Sequence, residues 1–238
     1  MTGKNPRRSP SRRAIGFLIV AVLAWGVVSY LMLPEWWKGH ERHHPALDNA
    51  PRVTTTADGI PGDPLNLLVI GSETELVSAL LASGWFPADP ITLATSIRIA
   101  ESSVFHRPYK DAPISNLYLF GRKEDLGFEK PVGKDPRERH HVRFWRVEPK
   151  QDEPLAWFAA ATFDHSIGFS HTTGQVTHHI APEVDKERDL LMADLLKTQP
   201  QGSSSYEAGF QANSGKNGGG DPWQSDGKLG NVKMNDKP

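Results

Sequence analysis

The chain contains no cysteine in its 238 residues. That excludes disulfides, thiolate zinc sites, iron–sulfur clusters and a thiol nucleophile. It also lacks an excess of either charge: 27 Lys and Arg stand against 28 Asp and Glu, for a formal net charge of -1. A general nucleic-acid binder needs a basic field to meet phosphates, so that class is excluded. GxSxG, HExxH, GxGxxG and the P-loop do not occur, which removes the commonest hydrolase, metalloprotease and nucleotide signatures. No internal repeat is visible.

What is present falls into distinct pieces. Residues 1–13 carry Lys4, Arg7, Arg8, Arg12 and Arg13 and no acid. An apolar run from Ala14 to Leu33 follows, long enough as a helix to span about 30 Å of hydrocarbon. Trp36 and Trp37 stand where an interfacial aromatic belt belongs. The basic flank predicts a cytoplasmic N-terminus, a single pass through the inner membrane and an extracytoplasmic remainder. The run is longer than the apolar core of a cleaved signal, and no small-x-small site follows it. Residues 34–64, with five prolines from Pro34 to Pro64, read as a linker. His40, His43 and His44 lie in it. Residues 199–238 are rich in Gly and Ser, with three glycines at 218–220, and read as a disordered tail. The folded domain is then expected at 65–198.

Within it, Leu65–Ile70 is a short apolar run ended by Gly71, which reads as a buried strand. Ser72 with Glu75 three residues on is a capping-box pattern opening a helix to Ser83. The Gly71–Glu73 turn could cradle an anion, but with one glycine it reads as a plain strand-to-helix turn. Pro90 opens a second expected helix extending to Val104. Strand-like runs cover Ser115–Gly121, Asp125–Lys130, His140–Val147 and Leu155–Phe163. The first two read as a hairpin, and a weaker strand covers Gln175–Ile180. Glu183–Lys197 is a closing helix. The sum is an α+β domain, two-layered and mainly antiparallel, behind one transmembrane helix.

The candidate site residues are polar groups in unusual places. On the strand through Arg139, His140, His141, Val142, Arg143, Phe144 and Trp145, side chains alternate. His140 shares a face with Val142 and Phe144, the expected core face. His141 and Arg143 share the other with Trp145, either as a solvated cationic face or as an anion-binding surface. Asp164 and His165 end an apolar, therefore central, strand. His178 and His179 precede the last helix. In that helix Arg188 falls inside the apolar arc and Asp185 at its edge, so Arg188 is expected to pair with Asp185 or Asp164. His106 and His171 fall in loops.

The segments Asn66–Ser72, Ala112–Arg122, Arg139–Trp145 and His178–Asp189 occur in an order that resembles the LssY C-terminal domain family across residues 65–198. The resemblance implies a bacterial envelope location. Members of that family carry the domain beside membrane-embedded modules, including phosphatidic-acid-phosphatase type 2 domains. This chain has one apolar span and no such phosphatase motif, so the resemblance implies no phosphatase activity and supplies no catalytic residues.

Two functions fit these residues. The first is a membrane-anchored binding module that takes an envelope protein or an anionic ligand on Arg139, His140, His141, Arg143, Asp164, His178, His179, Asp185 and Arg188. The second is a hydrolase of a phosphate or other envelope ester, assisted by a divalent metal on His141, His178, His179 and Asp185. There Arg143 or Arg188 would steady the anion. It requires His141, His178 or His179, and Asp164 or Asp185 to bring three ligand atoms within about 2–2.2 Å of one shared point.

Overall fold

A computed structural model of the protein describes residues 12–33, 52–88, 116–133, 138–147, 154–174 and 176–234. The expected helix from Pro90 to Val104, the linker histidines and His106 lie outside them. Helix α1 (Arg12–Val27) continues into a wider π turn, Val28–Met32. Ile15–Met32 is long and apolar enough to cross a membrane, with mean hydropathy 2.3. Phe17, Leu18 and Leu23 point outward, as a lipid-facing helix requires.

The strands follow in chain order as β1 (Val53–Thr55), β2 (Pro61–Pro64), β3 (Leu67–Ile70), β4 (Phe86–Pro87), β5 (Tyr118–Leu119), β6 (Arg122–Lys123), β7 (Leu126–Pro131), β8 (Arg139–Val147), β9 (Ala156–Phe169) and β10 (Val176–Ile180). After the last helix come β11 (Ser203–Glu207), β12 (Ser214–Lys216), β13 (Pro222–Gln224) and β14 (Leu229–Lys233). Helix α2 (Glu73–Ala82) lies between β3 and β4, and α3 is Val184–Leu196. At the start of α2 the capping box forms, with the Ser72 hydroxyl accepting from Glu75 N–H and the Glu75 carboxylate accepting from Ser72 N–H. Two otherwise orphaned amide protons are thereby satisfied.

The α+β class holds. A large sheet runs β11-β14-β3-β9-β8-β7-β4, with β10 also on β9. All its pairs are antiparallel except β14 with β3. Helices α2 and α3 cover one face through Leu76, Leu80, Leu191 and Leu195, which pack on Leu67, Val142, Phe144 and Trp157. A second sheet, β2-β1-β5-β6, sits against part of the other face, where Leu117 and Leu119 meet Trp145 and Ala160.

Three expectations change. The expected linker ends early, because β1 and β2 build the small sheet. The expected tail is ordered over its described part: β14 pairs with both β11 and β3, and Leu229 and Val232 are buried. The expected hairpin between the runs at 115–121 and 125–130 does not form. β5 instead turns back on β6 through Phe120 and Gly121, both at positive φ, and β7 joins β8 in the large sheet. Two successive left-handed residues are what a tight two-residue hairpin turn demands.

Candidate functional site: a buried ionic cavity

The pleat of β8 sends Arg139, His141, Arg143 and Trp145 to the face away from the helices. The small sheet covers part of that face and β10 with the Asn217–Gly219 loop flanks the rest; these residues are buried, at 1%, 4%, 4% and 0% exposure. The solvated reading of the strand is therefore corrected. A charge this deep needs a counter-charge, and neighbouring strands supply them. Arg139 Nη1 donates to Glu129 on β7 at 2.7 Å and its Nε to Asp164 on β9 at 3.0 Å. Arg143 Nη1 donates to Asp63 on β2 at 3.0 Å. His141 lies between the two clusters. Its Nδ1 stands 3.1 Å from Asp164 Oδ2, and its Nε2 is 2.6 Å from Thr162 Oγ1 and 2.9 Å from Arg143 Nη1.

Asp63, Arg139, His141, Arg143 and Asp164 line a cavity of about 390 Å³, together with Tyr118 from β5, His178 from β10 and the Asn217–Gly219 loop. Burial alone would push the Asp164 carboxyl up, but His141, His178 and Arg139 hold it far below the usual range. Burial likewise opposes ionisation of Asp63, yet His141 and Arg143 keep it below its ordinary value. For His141, burial favours the neutral ring and Arg143 adds to this, but Asp164 and Asp63 together raise its pKa. His178 goes the other way. Burial pushes it down to about 4 despite Asp164, with Arg139 adding to the effect.

The shift on His178 has a sign that can be measured. Between pH 6.5 and about 4 the unfolded chain takes up a proton there that the folded chain refuses. Stability must fall as pH drops through that window, by up to about 3 kcal/mol. Urea melts across the window are expected to show this loss, and His178→Gln is expected to flatten it. An unchanged slope in the variant would assign the loss to other groups. The raised His141 contributes in the opposite sense, losing stability as pH climbs above 6.5 through its folded pKa.

The remaining sequence candidates separate. His140 lies on the helix side, its Nδ1 2.7 Å from Glu187 Oε2 and its ring against Phe163. Arg188 and Asp185 form their own cluster with Asp189 and Asp226. Asp185 is one partner of Arg188, whereas Asp164 is taken by Arg139 and His141. His178 and His179 are adjacent on a strand and face opposite ways, so one metal cannot use both. The expected metal set of His141, His178, His179 and Asp185 therefore does not converge. Among the described residues, the histidine–carboxylate group whose ligand atoms all lie within 4.8 Å of one another is His171, His179 and Asp221.

Sequence reasoning missed Asp63, Glu129, Thr162 and Tyr118. Asp63 lies in a proline-rich stretch with no strand periodicity. Glu129 had a weak signal: of Gly127, Glu129 and Pro131, which share one face of their strand, it is the charged one.

The model of a family described as LssY C-terminus matches residues 47–229. That span takes in β1, β2 and most of the ordered C-terminal strands. No curated protein and no solved structure matches the chain.

Proposed function

The chain belongs to the LssY C-terminal family, and from that premise we propose a membrane-tethered binding module for a small hydroxylated ligand carrying one anionic group. The anchor is α1, with the basic N-terminus in the cytoplasm and the domain held outside the inner membrane of a bacterial envelope. The positive-inside rule supports this orientation.

One observation carries the ligand reading. Asp164 Oδ1 and His178 Nε2 are buried at the cavity without a hydrogen-bond partner among the described residues. Buried polar atoms are seldom left so, because each costs about 1–3 kcal/mol. Asp164 Oδ1 accepts, so the ligand must donate there, as a hydroxyl does. Arg143 lines the same cavity, and its guanidinium suits a carboxylate or phosphate. With Glu129 and Asp58 counted, four carboxylates face Arg139, Arg143 and His141, so no surplus of cation is present for a polyanion.

The test is calorimetric titration of the full chain in detergent with uronic acids, aldonic acids and sugar monophosphates against their neutral parents. At least one anionic member is expected to bind saturably, about tenfold or more tighter than its neutral parent. Arg143→Lys keeps the charge facing Asp63 but loses the guanidinium fork, and should cost a similar factor. Failure of the whole panel, or equal binding of neutral parents, would sink the proposal.

A further inference from the structure

The β9–β10 hairpin and the loop joining β12 to β13 meet beside the cavity. His171 follows β9, His179 lies on β10, and Asp221 ends the loop. Asp221 Oδ1 is 2.6 Å from His179 Nδ1 and 3.9 Å from His171 Nε2. A tetrahedral metal with bonds of about 2.0–2.1 Å sets its ligand atoms roughly 3.3 Å apart. The two observed distances bracket that value, and all three ligand atoms lie within 4.8 Å of one another, so small side-chain shifts bring them round one ion.

The carboxylate is held for the task. Its Oδ2 accepts from Ile180 N–H at 3.2 Å and from the Asn217 amide at 3.5 Å, while Asp221 N–H donates to Asn217 Oδ1 at 2.9 Å. Supporting hydrogen bonds of this kind fix a ligand's direction. Asp221 and His179 side chains are 6% and 15% exposed, whereas His171 is 68% exposed. The set is thus closed on the protein side and open to solvent on the other, where His165 and Ser166 line the depression.

We propose that His171, His179 and Asp221 form a binding site for one divalent transition-metal ion of the zinc class, with its remaining position open to solvent. Two imidazoles and one carboxylate suit zinc, cobalt or nickel better than calcium or magnesium, which demand oxygen shells. The site lies outside the ionic cavity but shares its walls. Ser170, next to His171, and Asn217–Gly219, just before Asp221, line that cavity. His171 N–H already donates to Gly219 carbonyl at 2.7 Å. A bound ion joins these two loops by coordination and fixes that side of the cavity.

The experiment uses untagged full-length protein in detergent, carrying H40A, H43A and H44A so that the linker histidines do not compete. Cobalt chloride is titrated and followed by visible absorption, with zinc chloride as competitor. One equivalent of cobalt is expected to give the d–d bands of low-coordinate geometry, and zinc to displace it. His171→Ala changes an exposed side chain and should leave the melting temperature in chelator unchanged. It should weaken cobalt binding by more than about tenfold. No saturable cobalt binding in the parent, or binding unchanged in His171→Ala, would overturn the site. Neither result bears on the sugar-acid titration, which reads a different set of residues.

Discussion

A chain ending at Thr198 is expected not to fold. The lost segment supplies β14, which lies between β11 and β3 inside the large sheet. With it go Trp223, Leu229, Val232 and Met234, each 3% exposed or less. At about 2 kcal/mol for each buried large side chain, their removal costs roughly 8 kcal/mol. That rivals the whole stability of an ordinary domain, about 5–15 kcal/mol. The cut also exposes the β3 edge and removes Asp226, which accepts from Arg188 at 2.7 Å. The check is circular dichroism with a thermal melt of the shortened chain in detergent. A cooperative melt close to that of the parent would show that β14 is dispensable.

Arg139→Met is expected to be the most destabilising single substitution in the ionic cavity. The guanidinium is the shared counter-ion of Glu129 and Asp164, whose side chains are 0% and 1% exposed. Methionine fills much of the volume but takes the Arg139 cation from both buried carboxylates, leaving Asp164 with His141. Breaking a buried pair from one side costs about 3–5 kcal/mol. The variant should therefore lose about 4 kcal/mol in urea melts at neutral pH. Adding Glu129→Gln to it should recover part of the loss, because one stranded charge is gone. The contrast is Arg122 with Asp125, where both side chains are 34% exposed. Breaking that pair is expected to cost less than about 1 kcal/mol. Equal losses at the two sites would mean that burial does not govern the energetics of the β8 arginines.

Much of the framework was legible because its causes are local. Ser72 and Glu75 cap α2 through neighbours three residues apart. Ala14–Leu33 reads as a span because hydrocarbon thickness sets a length. The alternation along β8 put His141 and Arg143 on one face, and strand geometry alone separates His178 from His179. The arc of α3 showed that Arg188 would need a counter-charge.

Which counter-charge was another matter. Asp226 stands 38 positions beyond Arg188, in a stretch whose glycine content read as disorder. Gly230 shows why composition misled there. A Cβ at that position would lie 2.4 Å from Met192 Sδ on α3. The glycine lets a strand pass close under a helix, and a flexible tail would use the same residue for the opposite reason. The ionic cavity is likewise a tertiary product. Asp63 reaches Arg143 across 80 positions, and Arg139 reaches Asp164 across 25. Burial of the β8 face depends on the small sheet over one part of it and on β10 and the Asn217–Gly219 loop beside the other. Sequence fixes which groups share a strand face or a helix arc, since backbone geometry does that within a few residues. Only the packed chain decides whether such a face meets water or a carboxylate from a distant segment, since that depends on how the layers stack.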